Sequence, residues 1–154
     1  MKITYTITSI DDTKKIAEDV AKYLFGKIIL LNGDVGAGKT TFTNFFINAL
    51  CDTPQAVTSP TFPIIQTYET DLGIVHHLDL YRIENEKELQ NLGIDEILQD
   101  TCLIEWSDKL GNYTPKNFIK IKIFTINENN RKFEIEFSKK YETTYNKVKE
   151  LNVI

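Results

Sequence analysis

The sequence predicts an α/β fold: a three-layer sandwich with a mixed sheet, parallel near a glycine-rich loop and extended by antiparallel strands. Three observations predict it. The apolar, β-branched run Ile28-Ile29-Leu30-Leu31 reads as a buried strand, and helical spacing of Phe42, Phe45, Phe46, Ala49 and Leu50 follows soon after. Between them lies Gly33-Asp34-Val35-Gly36-Ala37-Gly38-Lys39-Thr40, which fits G-x-x-x-x-G-K-[ST] at every fixed position. Two later pairs of alternating segments suit antiparallel hairpins.

The loop also predicts chemistry. Gly33, Gly36 and Gly38 open backbone conformations closed to other residues and allow close approach to a ligand. Loop amides from Gly33 through Thr41, with the positive end of the following helix, make an anion cradle. Lys39 supplies a point charge for β- and γ-phosphates, and Thr40 offers a hydroxyl to Mg²⁺. A glycine-rich turn that happens to carry Lys-Thr is the plain alternative, and the strand–loop–helix context argues against it. The expected architecture is therefore P-loop NTPase-like.

Length and composition narrow the class. The 154 residues suit a single domain, 1–154, with a core of its own. Hydrophobic content of 42% and charged content of 26% are those of a soluble globular chain. Eighteen basic and 22 acidic side chains leave a net charge of −4, which argues against a broad nucleic-acid face. Cys51 and Cys102 lack metal or redox spacing and read as reduced cysteines of a cytoplasmic protein. No signal peptide and no membrane-spanning run is expected.

Along the chain, Ile3, Tyr5 and Ile7 alternate with threonines as in a half-buried strand. Ser9-Ile10-Asp11-Asp12 resembles a capping box before a helix with Ile16, Val20 and Leu24 on one face, ending near Gly26. The apolar spacing puts the next helix over 41–50. Residues 51–56 read as a connection. In Val57-Thr58-Ser59-Pro60-Thr61-Phe62-Pro63, two prolines exclude a regular helix and disfavour a central strand. This hydroxyl-rich loop reads equally as a γ-phosphate switch or as a turn with local hydroxyl–backbone bonds.

Residues 64–69 and 74–81 read as a hairpin, with Asp79 near a strand end where a carboxylate can face a metal. His76 and His77 are adjacent, so they point to opposite faces, and a hydrogen-bonded structural role is favoured for each. Helical turns follow over 84–92 and 94–98, broken at Gly93. Cys102-Leu103-Ile104-Glu105-Trp106 is an apolar run ending in a carboxylate, the physical content of a Walker-B strand, and Trp106 reads as lining the nucleotide site or as packing, with core packing favoured. Ile119, Ile121 and Ile123 alternate with lysines, and Phe133, Ile135 and Phe137 with glutamates, as in a hairpin with facing charge rows. Tyr141, Tyr145 and Val148 suggest a closing amphipathic helix.

The nucleotide reading favours ATP. Asn146-Lys147-Val148-Lys149 fails the last position of Asn-Lys-x-Asp, and Asp108-Lys109-Leu110-Gly111 fits D-x-x-G but starts beyond the strand-end acid. The only arginines are Arg82 and Arg131, too few for the lid of a small-molecule kinase.

Several stretches together resemble the TsaE family of P-loop ATPases, which takes part in making threonylcarbamoyladenosine in tRNA. They are Gly33 to Thr41, Thr58-Ser59-Pro60-Thr61-Phe62, His77-Leu78-Asp79-Leu80-Tyr81-Arg82, Leu92-Gly93-Ile94-Asp95-Glu96 and Ile104-Glu105-Trp106. The first is generic to P-loop proteins; the second and third, in this order, are specific. The resemblance implies that the loop binds ATP and that Thr40 and Glu105 hold Mg²⁺. It makes Thr61 a switch residue near the γ-phosphate and implicates Asp79, with Lys39 and Glu105, in activity. Many family members carry an acid two residues after the Trp, and here that position is the shorter Asp108. The resemblance further implies a weak ATPase coupled to a TsaD–TsaB complex, with tRNA met only through that complex. A stand-alone small-molecule kinase, or a nucleotide-gated assembly module without required turnover, are the alternatives.

Overall fold

The computed structural model describes residues 1–60 and 64–151. Alternating polarity makes β1 (Lys2–Ile7) a strand with Ile7 turned inward. Helix α1 (Ile10–Leu24) starts where Ser9 Oγ accepts the Asp12 N–H at 3.2 Å. The Asp12 carboxylate reaches back, as a capping box requires, and its closest backbone donor is the Thr8 N–H at 2.9 Å. That bond, with one from the Thr8 hydroxyl, holds the Asp12 carboxyl below the usual range. Ile16, Val20 and Leu24 are fully buried, as their spacing requires.

Strand β2 (Ile28–Gly33) leads through the glycine-rich loop into α2 (Lys39–Ala49), which begins at Lys39 because left-handed Gly38 sets its first turn. Strands β3 (Ile65–Thr70) and β4 (Gly73–Asp79) form the expected hairpin around Asp71-Leu72. β4 stops two residues earlier than its apolar pattern, because the Tyr81 N–H turns back to Asp79 Oδ1 at 3.0 Å. Asn85 and Glu88 cap α3 (Glu86–Leu92) reciprocally, and left-handed Gly93 separates it from α4 (Ile94–Ile97). Then come β5 (Thr101–Glu105), a 3₁₀ segment at Ser107–Tyr113, β6 (Ile119–Thr125), β7 (Arg131–Phe137) and α5 (Glu142–Glu150).

The strands lie in the order β1-β7-β6-β2-β5-β4-β3. β2 pairs in parallel with both β5 and β6, and β5 in parallel with β4. The outer pairs, β1 with β7, β7 with β6 and β3 with β4, are antiparallel. The sheet is thus mixed, parallel at its centre and extended at both edges.

Period-two alternation assigns side chains to two apolar layers. Ile29, Leu31, Leu103 and Ile121 pack against α1, α2 and α5, in a core that also holds Phe42, Phe46 and Phe133. Ile28, Leu30, Ile104 and Leu78 face the other way, with Leu89, Ile94 and Leu110 from α3, α4 and the 3₁₀ segment. On β6 and β7, Lys120 faces Glu136 and Lys122 faces Glu134. This lysine row is therefore one half of a mixed-charge strand face, and on β7 itself Lys132 Nζ stands 3.2 Å from Glu134. Cys51 and Cys102 are free, and burial, with the nearby Asp100 carboxylate, pushes the Cys102 thiol up to about 12. No described helix is long and apolar enough to cross a membrane.

The Phe42 ring sits 6.0 Å from that of Phe46 and 5.9 Å, edge-on, from that of Phe133, with no exposure. Phe42→Ala is expected to cost about 3–5 kcal/mol, by lost burial and an unfilled cavity, read as a lower urea midpoint.

Candidate functional site

Three strands of the parallel run end at one edge: β2 at Gly33, β4 at Asp79 and β5 at Glu105. Asp79 and Glu105 are direct partners in the β4–β5 register, so both carboxylates arrive beside the loop that leaves β2.

That loop is shaped by its glycines. A Cβ on Gly33 would lie 2.9 Å from the Ile123 carbonyl oxygen and 3.3 Å from Ala37 Cβ, so no side chain fits there. Gly38 holds φ at +112°, which a side chain rarely adopts, just before α2. The Ala37 N–H donates to the Asp34 carbonyl at 3.0 Å and closes the turn. The Lys39 ammonium folds back over it and donates to the Gly33 carbonyl oxygen.

A cleft of about 350 Å³ opens at this edge. Gly36, Gly38, Lys39 and Thr40 line it from the loop, and Asp79 and Glu105 from the strand ends. Val35, Thr41, Ser59 and Trp106 complete the wall. The structure therefore gathers Lys39, Thr40, Asp79 and Glu105, which stand far apart in sequence. Ala37 is buried beneath the loop, and Gly33 and Asp34 border a neighbouring hollow beside Lys122. Thr61, the expected switch residue, lies outside the described residues, while Ser59 from the same hydroxyl-rich stretch reaches the cleft.

Trp106 is not a core residue. It is 40% exposed, and its ring centroid is 4.9 Å from that of Tyr81, itself exposed. The cause is backbone: Trp106 has φ +58°, a left-handed turn that ends β5 directly after Glu105. The indole then stands at the rim of the cleft.

The two histidines do face opposite ways. His76 lies 2.8 Å from the Thr67 hydroxyl and 2.9 Å from Asp100 Oδ2. His77 is fully buried and pairs with Glu105. Its signal was available, because His77 stands two residues before Asp79 and so shares its strand face. Arg131 was not foreseeable. Its Nε donates to the Ala37 carbonyl at 3.3 Å and its Nη1 to the Asn127 carbonyl at 2.7 Å, tying the β6–β7 connection to the loop. Together with Ile10, Thr13, Gly38 and Thr41 it borders a second hollow of about 310 Å³ on the other side of the loop.

Chemically, the cleft combines an ammonium, a helix N-terminus with its amides, three hydroxyls and two carboxylates. The amides and Lys39 suit an anion of several charges. The hydroxyl and carboxylate oxygens suit a hard divalent cation beside it.

Comparisons with known proteins identify the family. Residues 7–133 match the model of the TsaE family, described as threonylcarbamoyl adenosine biosynthesis protein TsaE. A Bacillus subtilis protein, tRNA threonylcarbamoyladenosine biosynthesis protein TsaE, is 39% identical over 131 residues, 83% of this chain and 80% of its own. The Rickettsia conorii protein of the same name is 36% identical over 129 residues, 82% of this chain and 74% of its own. Among solved structures, the crystal structure of Bacillus subtilis YdiB superposes with a TM-score of 0.75 at 28% identity, covering 97% of this chain and 95% of that one.

Gly33→Ala is expected to force its Cβ against the Ile123 carbonyl and lower stability by about 1–3 kcal/mol, the usual cost of overpacking. A thermal melt within error of the parent would show that the loop has room to spare.

Proposed function

The chain belongs to the TsaE family, and from that premise we propose that it binds and hydrolyses ATP in the making of threonylcarbamoyladenosine on tRNA, working with TsaD- and TsaB-type proteins. One observation carries the reading: the cleft that holds the glycine-rich loop and Lys39 also holds Asp79 and Glu105.

In this reading the loop amides and the start of α2 hold the β- and γ-phosphates. Lys39 leaves the Gly33 carbonyl and turns its ammonium to the phosphate oxygens. The nucleoside extends past Thr41 into the hollow between Ile10, Thr13 and Arg131.

The donor set fits Mg²⁺. Among the described residues no three His, Cys, Asp or Glu side chains make a metal cage. Mg²⁺ needs only one or two protein oxygens in a phosphate site, and Thr40 and Glu105 would supply them. When bound there, the ion would offset the charge of the phosphates. Asp79, anchored by the Tyr81 N–H, orients the attacking water from the end of the neighbouring strand.

Slow turnover by the isolated chain follows from its cations. No arginine lines the cleft among the described residues, and Arg131 is committed to backbone carbonyls. An arginine supplied in trans is worth roughly 10³–10⁵ in rate in other phosphoryl-transfer systems. The TsaD–TsaB pair is the proposed source of that activation, and tRNA is met only through it.

Phosphate release by the chain alone is expected to be slow and to rise when TsaD and TsaB are added. A rate that the pair cannot raise would overturn the coupling, and a phosphorylated small acceptor in place of free phosphate would identify a kinase. Lys39→Ala is expected to weaken ATP binding by about 1.5–3 kcal/mol, the value of a charge-assisted hydrogen bond, in a calorimetric titration. Unchanged affinity in that variant would sink the phosphate-loop assignment.

A further inference from the structure

His77 lies on β4 on the same sheet face as Asp79, with no surface exposed. Its register partner on β5 is Leu103, while Asp79 faces Glu105. The imidazole therefore reaches forward along the sheet, and its Nε2 meets Glu105 Oε2 at 2.8 Å. The other ring nitrogen, Nδ1, is buried and has no partner among the described residues.

This arrangement selects one tautomer. With hydrogen on Nε2, the ring donates to the carboxylate and leaves only a bare acceptor at Nδ1. The other tautomer would set a lone pair against the carboxylate and bury an unpaired N–H. Glu105 is itself only 4% exposed, and this is its single hydrogen bond through the side chain among the described residues. Oε2 is held, and Oε1 keeps its acceptor capacity.

We propose that His77 is a positioning residue for Glu105. It holds the carboxylate in one rotamer, so that Oε1 is presented to the cation at the phosphate end of the cleft. The inference rests on the Mg·ATP reading of that cleft. His76, one residue away, is the contrast: its partners Thr67 and Asp100 lie on the opposite face, away from the cleft. Outer-shell partners of metal-ligating groups typically contribute about 10–100-fold to metal affinity or activity.

The test is the Mg²⁺ dependence of binding of a fluorescent, non-hydrolysable ATP analogue, with a thermal melt of each variant. His77→Phe keeps a ring of similar size and removes the donor. It is expected to raise the Mg²⁺ concentration for half-maximal tight binding by about 10-fold, with the affinity in EDTA unchanged. His77→Gln, whose amide can donate to Oε2, is expected to restore most of the loss. His76→Phe is expected to lower the melting temperature and leave the Mg²⁺ dependence alone. Should His77→Phe not fold, His77→Asn, whose amide is too short to reach Glu105, takes its place against His77→Gln. A variant without the donor that keeps the parental Mg²⁺ dependence would overturn the proposal and leave His77 as packing only. A parent protein that binds the analogue equally with and without Mg²⁺ would instead overturn the cation reading itself, a result visible before any variant is made.

Discussion

Parallel pairing of β2, β4 and β5 is the constraint on which the rest of the molecule depends. Parallel neighbours need crossovers, and crossovers cover both faces of a sheet, so the central strands must be apolar on both sides. β5 shows this directly: all five of its residues are buried. The same pairing brings three strand ends to one edge. A chain that leaves β2 there has to turn over the ends of β4 and β5, and what those strands carry last becomes the floor of the turn. Asp79 and Glu105 meet the glycine-rich loop for that reason.

Burial sets the electrostatics at that edge. A carboxylate taken out of water is costly unless it is hydrogen-bonded or paired. Glu105 is 4% exposed, and among the described residues its carboxylate accepts one hydrogen bond, from His77. A carboxylate offers about four acceptor positions, so most of its capacity is unspent. Asp79 is less buried and is bound to its own chain through the Tyr81 N–H. The two acids thus differ in kind: Glu105 is held by a neighbouring strand and oriented by a ring, while Asp79 is held by its own turn. That difference supports separate roles for them, with Glu105 toward a cation and Asp79 toward a nucleophile.

Much of this was readable in the residues, because periodicity is a local property. The isoleucines of β6 show their alternation within seven residues, and the face of α1 shows its own within three turns. The loop was legible because its pattern names the residue types that a backbone cradle requires. Bounds were harder. β4 ends at Asp79 although its apolar pattern runs on to Tyr81, since one side-chain bond decides where the turn begins. For Trp106 the cleft and the core were both open and the core was favoured, because its place depends on a single backbone angle, and an indole after an apolar run looks like core until that angle is known. Arg131 could not be placed at all: it touches Ala37 across 94 residues, and no spacing encodes that contact.

The Arg131 contact bears on how the loop is held. On one side the loop rests on α2, whose packing is apolar and deep. On the other it has only the β6–β7 connection, and Arg131 is what joins the two. A guanidinium with bonds to carbonyls of both segments acts as a brace, and its fixed fork makes it stiffer than a lysine would be. Val35 at the loop's tip is 94% exposed. The loop is therefore anchored at its base and open at its tip, above a cleft whose rim is the exposed pair Tyr81 and Trp106. Water reaches such a cleft freely, and charge interactions in it are weakened accordingly. On the proposed reading, a partner that covers the rim would exclude that water and strengthen every charge contact below it, which is a second route, besides any supplied arginine, from slow to fast turnover.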